Sequence, residues 1–190
     1  GQDELLPQND VLEFLAKIGC DIFHFEEVCV NIIFSLVGFD EEQFDYALLP
    51  TFLSHFPAGS STKTLVHYLH EVQSGKFRQY DYGPEKNQLI YNATEPPEYN
   101  LANITVPVAL FYADNDWLVS SLDVKKLHSM LPNVLDLYKV PFSKFNHFDF
   151  IWAKDAPELV YKRLLKIIKI GKSDNKNKNE WDIKSLRPWP

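Results

Sequence analysis

The sequence predicts an α/β protein, and three observations carry that reading. Apolar residues recur at helical spacing through residues 9–75. A short apolar run, Val106–Tyr112, ends in an acidic loop. From there to residue 170 the pattern alternates strand, helix, strand, helix. With 190 residues, 45% of them apolar and 14% aromatic, the chain can form a core. A net charge of −7 with no basic face excludes a nucleic-acid partner. No stretch approaches the roughly 18 uninterrupted apolar residues of a membrane span. The chain opens Gly1-Gln2-Asp3-Glu4, with neither a signal peptide nor an initiator Met, as a piece of something longer would.

Each element has a local cause. Val11, Leu12, Leu15 and Ile18 mark one helical face; Val28, Ile32, Ile33 and Leu36 mark a second, and Gly38 stops that helix. A third helical stretch over 40–56 is broken by Pro50, and Pro57-Ala58-Gly59 forms a turn. Ser60 or Ser61 then caps a helix to Gln73, with Gly75 as its stop. Residues 77–99 are aromatic and polar, with short strands at most. Val106–Tyr112 reads as a buried parallel strand, 122–131 as a helix capped by Ser120 or Ser121, and 134–140 as a second strand. Residues 141–150 form a loop, and 156–170 an amphipathic helix with Pro157 in its first turn. The chain thus divides into a helical module (9–75), a strand-bearing part (76–170) and a Lys- and Asn-rich tail without order (171–190).

Cys20 and Cys29 are the only cysteines. Their spacing suits neither a CxxC pair nor a zinc site, leaving a short disulfide loop or two buried thiols. The sequons Asn92-Ala93-Thr94 and Asn103-Ile104-Thr105 favour oxidation, since both are glycosylation acceptors in a secretory protein.

Functional groups in a parallel sheet collect at the C-terminal strand ends. Asp116 follows the first strand and His147 the second, so both lie at one sheet edge. Acid then histidine is the chain order of the α/β-hydrolase triad, in which the carboxylate orients the imidazole and stabilises its cation. Asp114 is the rival for the acid.

The local sequences go further. Cys29-x-Asn31, Gly38-Phe39, Leu53-Ser54-His55-x-Pro57-Ala58-Gly59, Tyr80-Asp81-x-Gly83, Asn115-Asp116-x-Leu118 and Asn146-His147-x-Asp149-Phe150-Ile151-Trp152 resemble the gastric and lysosomal acid lipases over about residues 8–170. The resemblance implies the C-terminal half of an α/β-hydrolase fold: a helical cap over 9–75 plus the last strands and helices of the sheet. It implies catalytic roles for Asp116 and His147 and a disulfide between Cys20 and Cys29. The family's free cysteine is replaced here by Val37, and the 116–147 segment is slightly longer. The family's serine sits on a Gly-x-Ser-x-Gly elbow upstream of the cap. None of the seven glycines forms such an elbow, so the nucleophile and oxyanion amides are expected upstream of Gly1.

The resemblance also implies hydrolysis of neutral lipid esters, triacylglycerols or steryl esters, in a secreted or lysosomal setting. It implies no cofactor and no metal. The partners implied are the ester, the missing N-terminal half and transient contact with a lipid interface. This chain alone is expected to be inactive and, with two sheet strands, poorly stable. Two rival readings stand: an inactive truncated paralogue that binds lipid or a partner, and another α/β-hydrolase chemistry such as a peptidase or thioesterase. His67 and His70, at i and i+3, lack a third metal ligand and read as packing or surface groups. His24, His55 and His128 read as structural or ordinary, and Trp117, Phe148 and Trp152 as loop packing. Asp149 either ties down the His147 loop or is solvated.

Overall fold

A computed structural model describes residues 4–5, 26–56 and 58–174. The described chain is mixed α/β and falls into two compact units, residues 48–103 with 4–5, and residues 26–47 with 104–174. Residues 26–47 of the stretch read as a helical module group with the strands. The first helix of that stretch, over 9–25, lies outside the described residues. No described helix is long and apolar enough to cross a membrane.

In the strand-bearing unit, α1 (Glu26–Val37) ends at Gly38, whose φ is 110°. The buried stripe of α1 is Val30, Phe34 and Val37, while Val28, Ile32 and Leu36 face outward. Of the face expected from the sequence, only Ile33 is half-buried; the other three residues point outward. The helix is apolar nearly all round, so periodicity does not choose a face. Tertiary packing does: the Phe34 ring stands edge-on to Phe44 at 5.7 Å and tilts against Phe39 at 5.9 Å.

β3 (Val108–Tyr112) and β4 (Val134–Lys139) pair in parallel, from Val108 opposite Val134 to Tyr112 opposite Lys139, with an irregularity after Val108. The connecting helix α5 (Ser121–Met130) is capped by the Ser120 hydroxyl, which accepts from the Leu122 amide. Ala113, Val140, Phe145, Ala153, Ala156 and Val160 close the core behind the strand ends. A helical turn, α6 (Asp149–Trp152), begins inside the expected loop. The last helix opens as a π-helical turn at Pro157–Tyr161 and continues as α7 (Lys162–Asp174), past the boundary expected at residue 170. Residues 175–190 lie outside the described residues.

In the second unit, Pro50 starts a helix rather than breaking one. It occupies the first turn of α2 (Leu49–Leu53), where a missing N–H costs no hydrogen bond. The preceding residues 41–48 are a turn and a 3-10 turn, not a helix. A two-residue pairing joins β1 (Glu4–Leu5) to β2 (Ser60–Ser61). Then α3 (Thr62–Ser74) runs from its Ser61 cap to left-handed Gly75, as read from the sequence. A third helix, α4 (Pro84–Tyr91), occupies a region where the sequence suggests only short strands. Buried Asn87 holds it. Its Oδ1 accepts from the Tyr82 amide, and its Nδ2 donates to Asp81 Oδ1 and the Thr94 carbonyl. Asp81 also accepts from the Gly83 amide, which gives the Tyr80-Asp81-x-Gly83 motif its structural reason. These hydrogen bonds, that from Asn87 first, hold the Asp81 carboxyl below its ordinary range.

Candidate active site

The β3 strand delivers the loop Ala113–Asp116 to the C-terminal edge of the parallel pair, and β4 delivers the loop that ends at His147. The structure brings Asp116 and His147 together: Nδ1 of His147 lies 2.9 Å from Oδ2 of Asp116. The other carboxylate oxygen, Oδ1, accepts from the amides of Leu118 at 2.9 Å and Val119 at 2.8 Å. Both oxygens are thereby committed, and the carboxylate cannot rotate without losing bonds. An ionised carboxylate has no proton to give, so Nδ1 is the donor and the neutral ring carries its lone pair on Nε2. The Asp116 side chain is 6% exposed and that of His147 36%. The acid is shut away while the imidazole stays partly exposed. The hydrogen bond to Asp116 raises the His147 pKa above its ordinary value, against the opposing effect of partial burial.

Asp114, the rival acid, points elsewhere, to an exposed ion pair with Lys139.

A single carbonyl serves as anchor for both loops. Val37 O, the last of α1, accepts from the Trp117 amide at 3.4 Å and the His147 amide at 3.3 Å. Gly38 follows, and its carbonyl accepts from Asn146 Nδ2 at 3.0 Å. Asn115 Nδ2 bonds the carbonyls of Phe39 and Lys144, tying the acid loop to the histidine loop. Asn146 is fully buried, and its Oδ1 accepts from the amides of Phe148 and Asp149. Asp149 is likewise buried, and its Oδ2 accepts from the Asn146 amide at 2.6 Å. Of the two readings of Asp149, the loop tie holds.

Sequence reasoning missed two of these parts. The sequence marks Gly38 as a helix stop and as part of the Gly38-Phe39 motif, but not that a β-carbon there would stand 2.1 Å from the Asn115 carbonyl oxygen. Asp40, buried beside Asp149, was not singled out at all. Nothing in Gly-Phe-Asp-Glu distinguishes it from a solvated turn residue, because its partner lies far along the chain.

Among the other expected residues, His67 Nε2 meets the Arg78 carbonyl at 2.9 Å and His70 packs on Tyr80. His55 is exposed, and His128 is half-buried in the last turn of α5; His24 lies outside the described residues. Trp117 stands edge-on to Phe39, and Phe148 edge-on to Trp152. Asn92 and Asn103 are both exposed, Asn92 as the left-handed C-cap of α4. Cys29 on α1 is not a free thiol; Cys20 lies outside the described residues.

Comparison with known proteins places this geometry in context. No protein-family model matches the chain. It is 40% identical over 167 residues to Lipase 3 of Drosophila melanogaster and 38% identical over 169 residues to gastric triacylglycerol lipase of Homo sapiens. It is 32% identical over 170 residues to lysosomal acid lipase/cholesteryl ester hydrolase of Macaca fascicularis. These alignments cover 87%, 88% and 89% of this chain but 42% of each relative, so the chain spans about two fifths of their length.

Proposed function

We propose, since the chain belongs to the acid lipase family, that it supplies the acid and base of a carboxylic-ester hydrolase acting on neutral lipid esters. The substrates would be triacylglycerols or steryl esters, the classes named in its relatives. The observation that carries this reading is the Asp116–His147 hydrogen bond, with the imidazole partly exposed. His147 takes the proton of an attacking serine hydroxyl at Nε2 and returns it to the leaving alcohol, while Asp116 holds the tautomer and stabilises the imidazolium. The serine and its oxyanion amides come from sequence outside these 190 residues, because no Gly-x-Ser-x-Gly elbow occurs within them. On this reading the fold is the C-terminal part of an α/β-hydrolase, and these residues alone turn over no ester.

The outer surface supports the same assignment. In α3 no residue is buried, and Leu65, Leu69 and Val72 are exposed. Such a helix suits a cap whose apolar side meets either acyl chains or the remainder of the protein. The same exposure favours the second reading, a catalytically inactive lipid- or partner-binding module. A Cys20–Cys29 disulfide, glycans on Asn92 and Asn103, and a secreted or lysosomal location complete the proposal.

The test is hydrolysis of long-chain triacylglycerol, steryl ester, thioester and peptide substrates by the full-length protein and its His147→Ala variant. Ester turnover that vanishes with His147 supports the proposal. Lipid binding with no turnover in the full-length protein supports the inactive module instead, and preferential peptide or thioester cleavage would overturn the lipase assignment.

A further inference from the structure

The structure also contains a pair of buried acids, which the proposed chemistry does not use. Asp40 and Asp149 are 1% and 0% exposed, and each carboxyl acts electrostatically on the other. Asp40 Oδ1 accepts from the amides of Glu42 at 3.1 Å and Gln43 at 3.3 Å. Asp149 Oδ2 accepts from the Asn146 amide. The two remaining oxygens, Asp40 Oδ2 and Asp149 Oδ1, are both buried and take part in no hydrogen bond.

Two ionised carboxylates in contact, out of water and without a cation, repel strongly. The surrounding charges offer no relief. Glu42 adds repulsion on Asp40, and Lys144 is committed to an exposed ion pair with Glu42. Glu41 adds another negative charge beside Lys144. His147, two residues from Asp149, is turned to Asp116. Nearby Asp155 is occupied by Gln43. One proton placed between the two unsatisfied oxygens would turn the repulsion into a short, charge-assisted hydrogen bond.

We propose that Asp40 and Asp149 share one proton as an acid–carboxylate pair, and that this pair positions His147 by fastening its loop to the segment after α1. The link to His147 is short. Asp149 fixes the Asn146 amide, the Asn146 side chain fixes Gly38, and His147 lies between Asn146 and Asp149. The consequence for catalysis rests on the reading of His147 as the base; the proton sharing does not. Burial, the largest influence, pushes the Asp149 carboxyl up to about 7 and raises Asp40 as well. A carboxyl raised above its unfolded value of about 3.9 contributes stability that is complete below that value. The contribution is lost as pH rises through about 7. The clamp is thus closed in acid and opened by deprotonation.

Asparagine imitates the protonated partner, since its Nδ2 donates where the shared proton did and its Oδ1 still accepts. In the full-length chain, Asp149→Asn and Asp40→Asn should each fold with up to one proton fewer taken up between about pH 4 and 7. Each should outlast the wild type at the alkaline end of that window, and each should flatten the pH dependence of the His147 ring resonance that arises from loop release. The double variant sets donor against donor, so it should melt below both singles. In the wild type, an infrared carbonyl stretch from a protonated carboxyl should persist at about pH 6. It should vanish in either single variant. Equal proton uptake in all variants, with additive melting effects, would overturn the proposal. So would the absence of that band in the wild type, a reading that stands even where a variant fails to fold. If ester hydrolysis proves absent while the band and the asparagine effects are present, the proton pair survives and the catalytic reading fails.

Discussion

Gly38 and Asn115 approach so closely that a β-carbon on Gly38 would stand 2.1 Å from the Asn115 carbonyl oxygen. That β-carbon would also stand 3.1 Å from Cβ of Asn146. The absence of a side chain at position 38 is what lets the loops carrying Asp116 and His147 close on the end of α1.

Gly38→Ala therefore meets two penalties. The φ of 110° is strained for any L side chain, and the obstacle is backbone rather than a flexible side-chain end. We expect a loss of about 3 kcal/mol, with the Asp116–His147 distance lengthened. Denaturant unfolding together with the His147 ring resonances checks both. A stable variant with unchanged resonances would show that the loops do not depend on this approach.

Asp116→Asn leaves the shape of the site but removes the negative charge and allows the wrong tautomer. Ester turnover by the full-length protein should fall by roughly 10,000-fold, with little change in melting temperature. A loss of only a few fold would remove Asp116 from the proposed role.

His147 titrates with stability. Its folded pKa is raised, chiefly by the hydrogen bond to Asp116. The contribution is therefore complete below the unfolded value of about 6.5 and disappears as pH rises through the folded value. Titration of the ring protons by NMR should show an elevated midpoint that falls in Asp116→Asn. An unchanged midpoint in that variant would refute the assigned cause.

Arg163 and Asp136 form a fork, with bonds of 2.6 and 2.7 Å, and the guanidinium lies 4.5 Å over the Tyr138 ring. Both side chains are largely buried, at 13% and 8% exposure. Arg163→Met strands the carboxylate and should cost about 3–5 kcal/mol. Adding Asp136→Asn should recover much of that loss, as read from a double-mutant cycle in urea. Strict additivity would mean the fork contributes no coupling between α7 and β4.

The sequence makes the strand-bearing unit legible because its signals are local. A continuous apolar run, a serine cap and the loops after each strand suffice to place Asp116 and His147 at one edge. The outward stripe of α1 was misread because a helix apolar on most sides leaves its orientation to contacts distant in sequence. Pro50 was misread because a proline breaks a helix from inside but starts one from its first turn, and nothing nearby says which. Helix α4 is not legible because a largely polar octapeptide has weak periodicity; buried Asn87 and half-buried Asp81 hold it by bonds no pattern reveals. The Asp40–Asp149 pairing is invisible for a similar reason: the two carboxyls meet only after folding.

The shared Val37 carbonyl gives the acid and the base a common datum. The acid and the base arrive on separate loops, and a separation of 2.9 Å tolerates little relative displacement. Because both loops hang from one oxygen, a shift of α1 carries the carboxylate and the imidazole along as a unit. Their spacing is thereby insulated from movement of the scaffold that bears them.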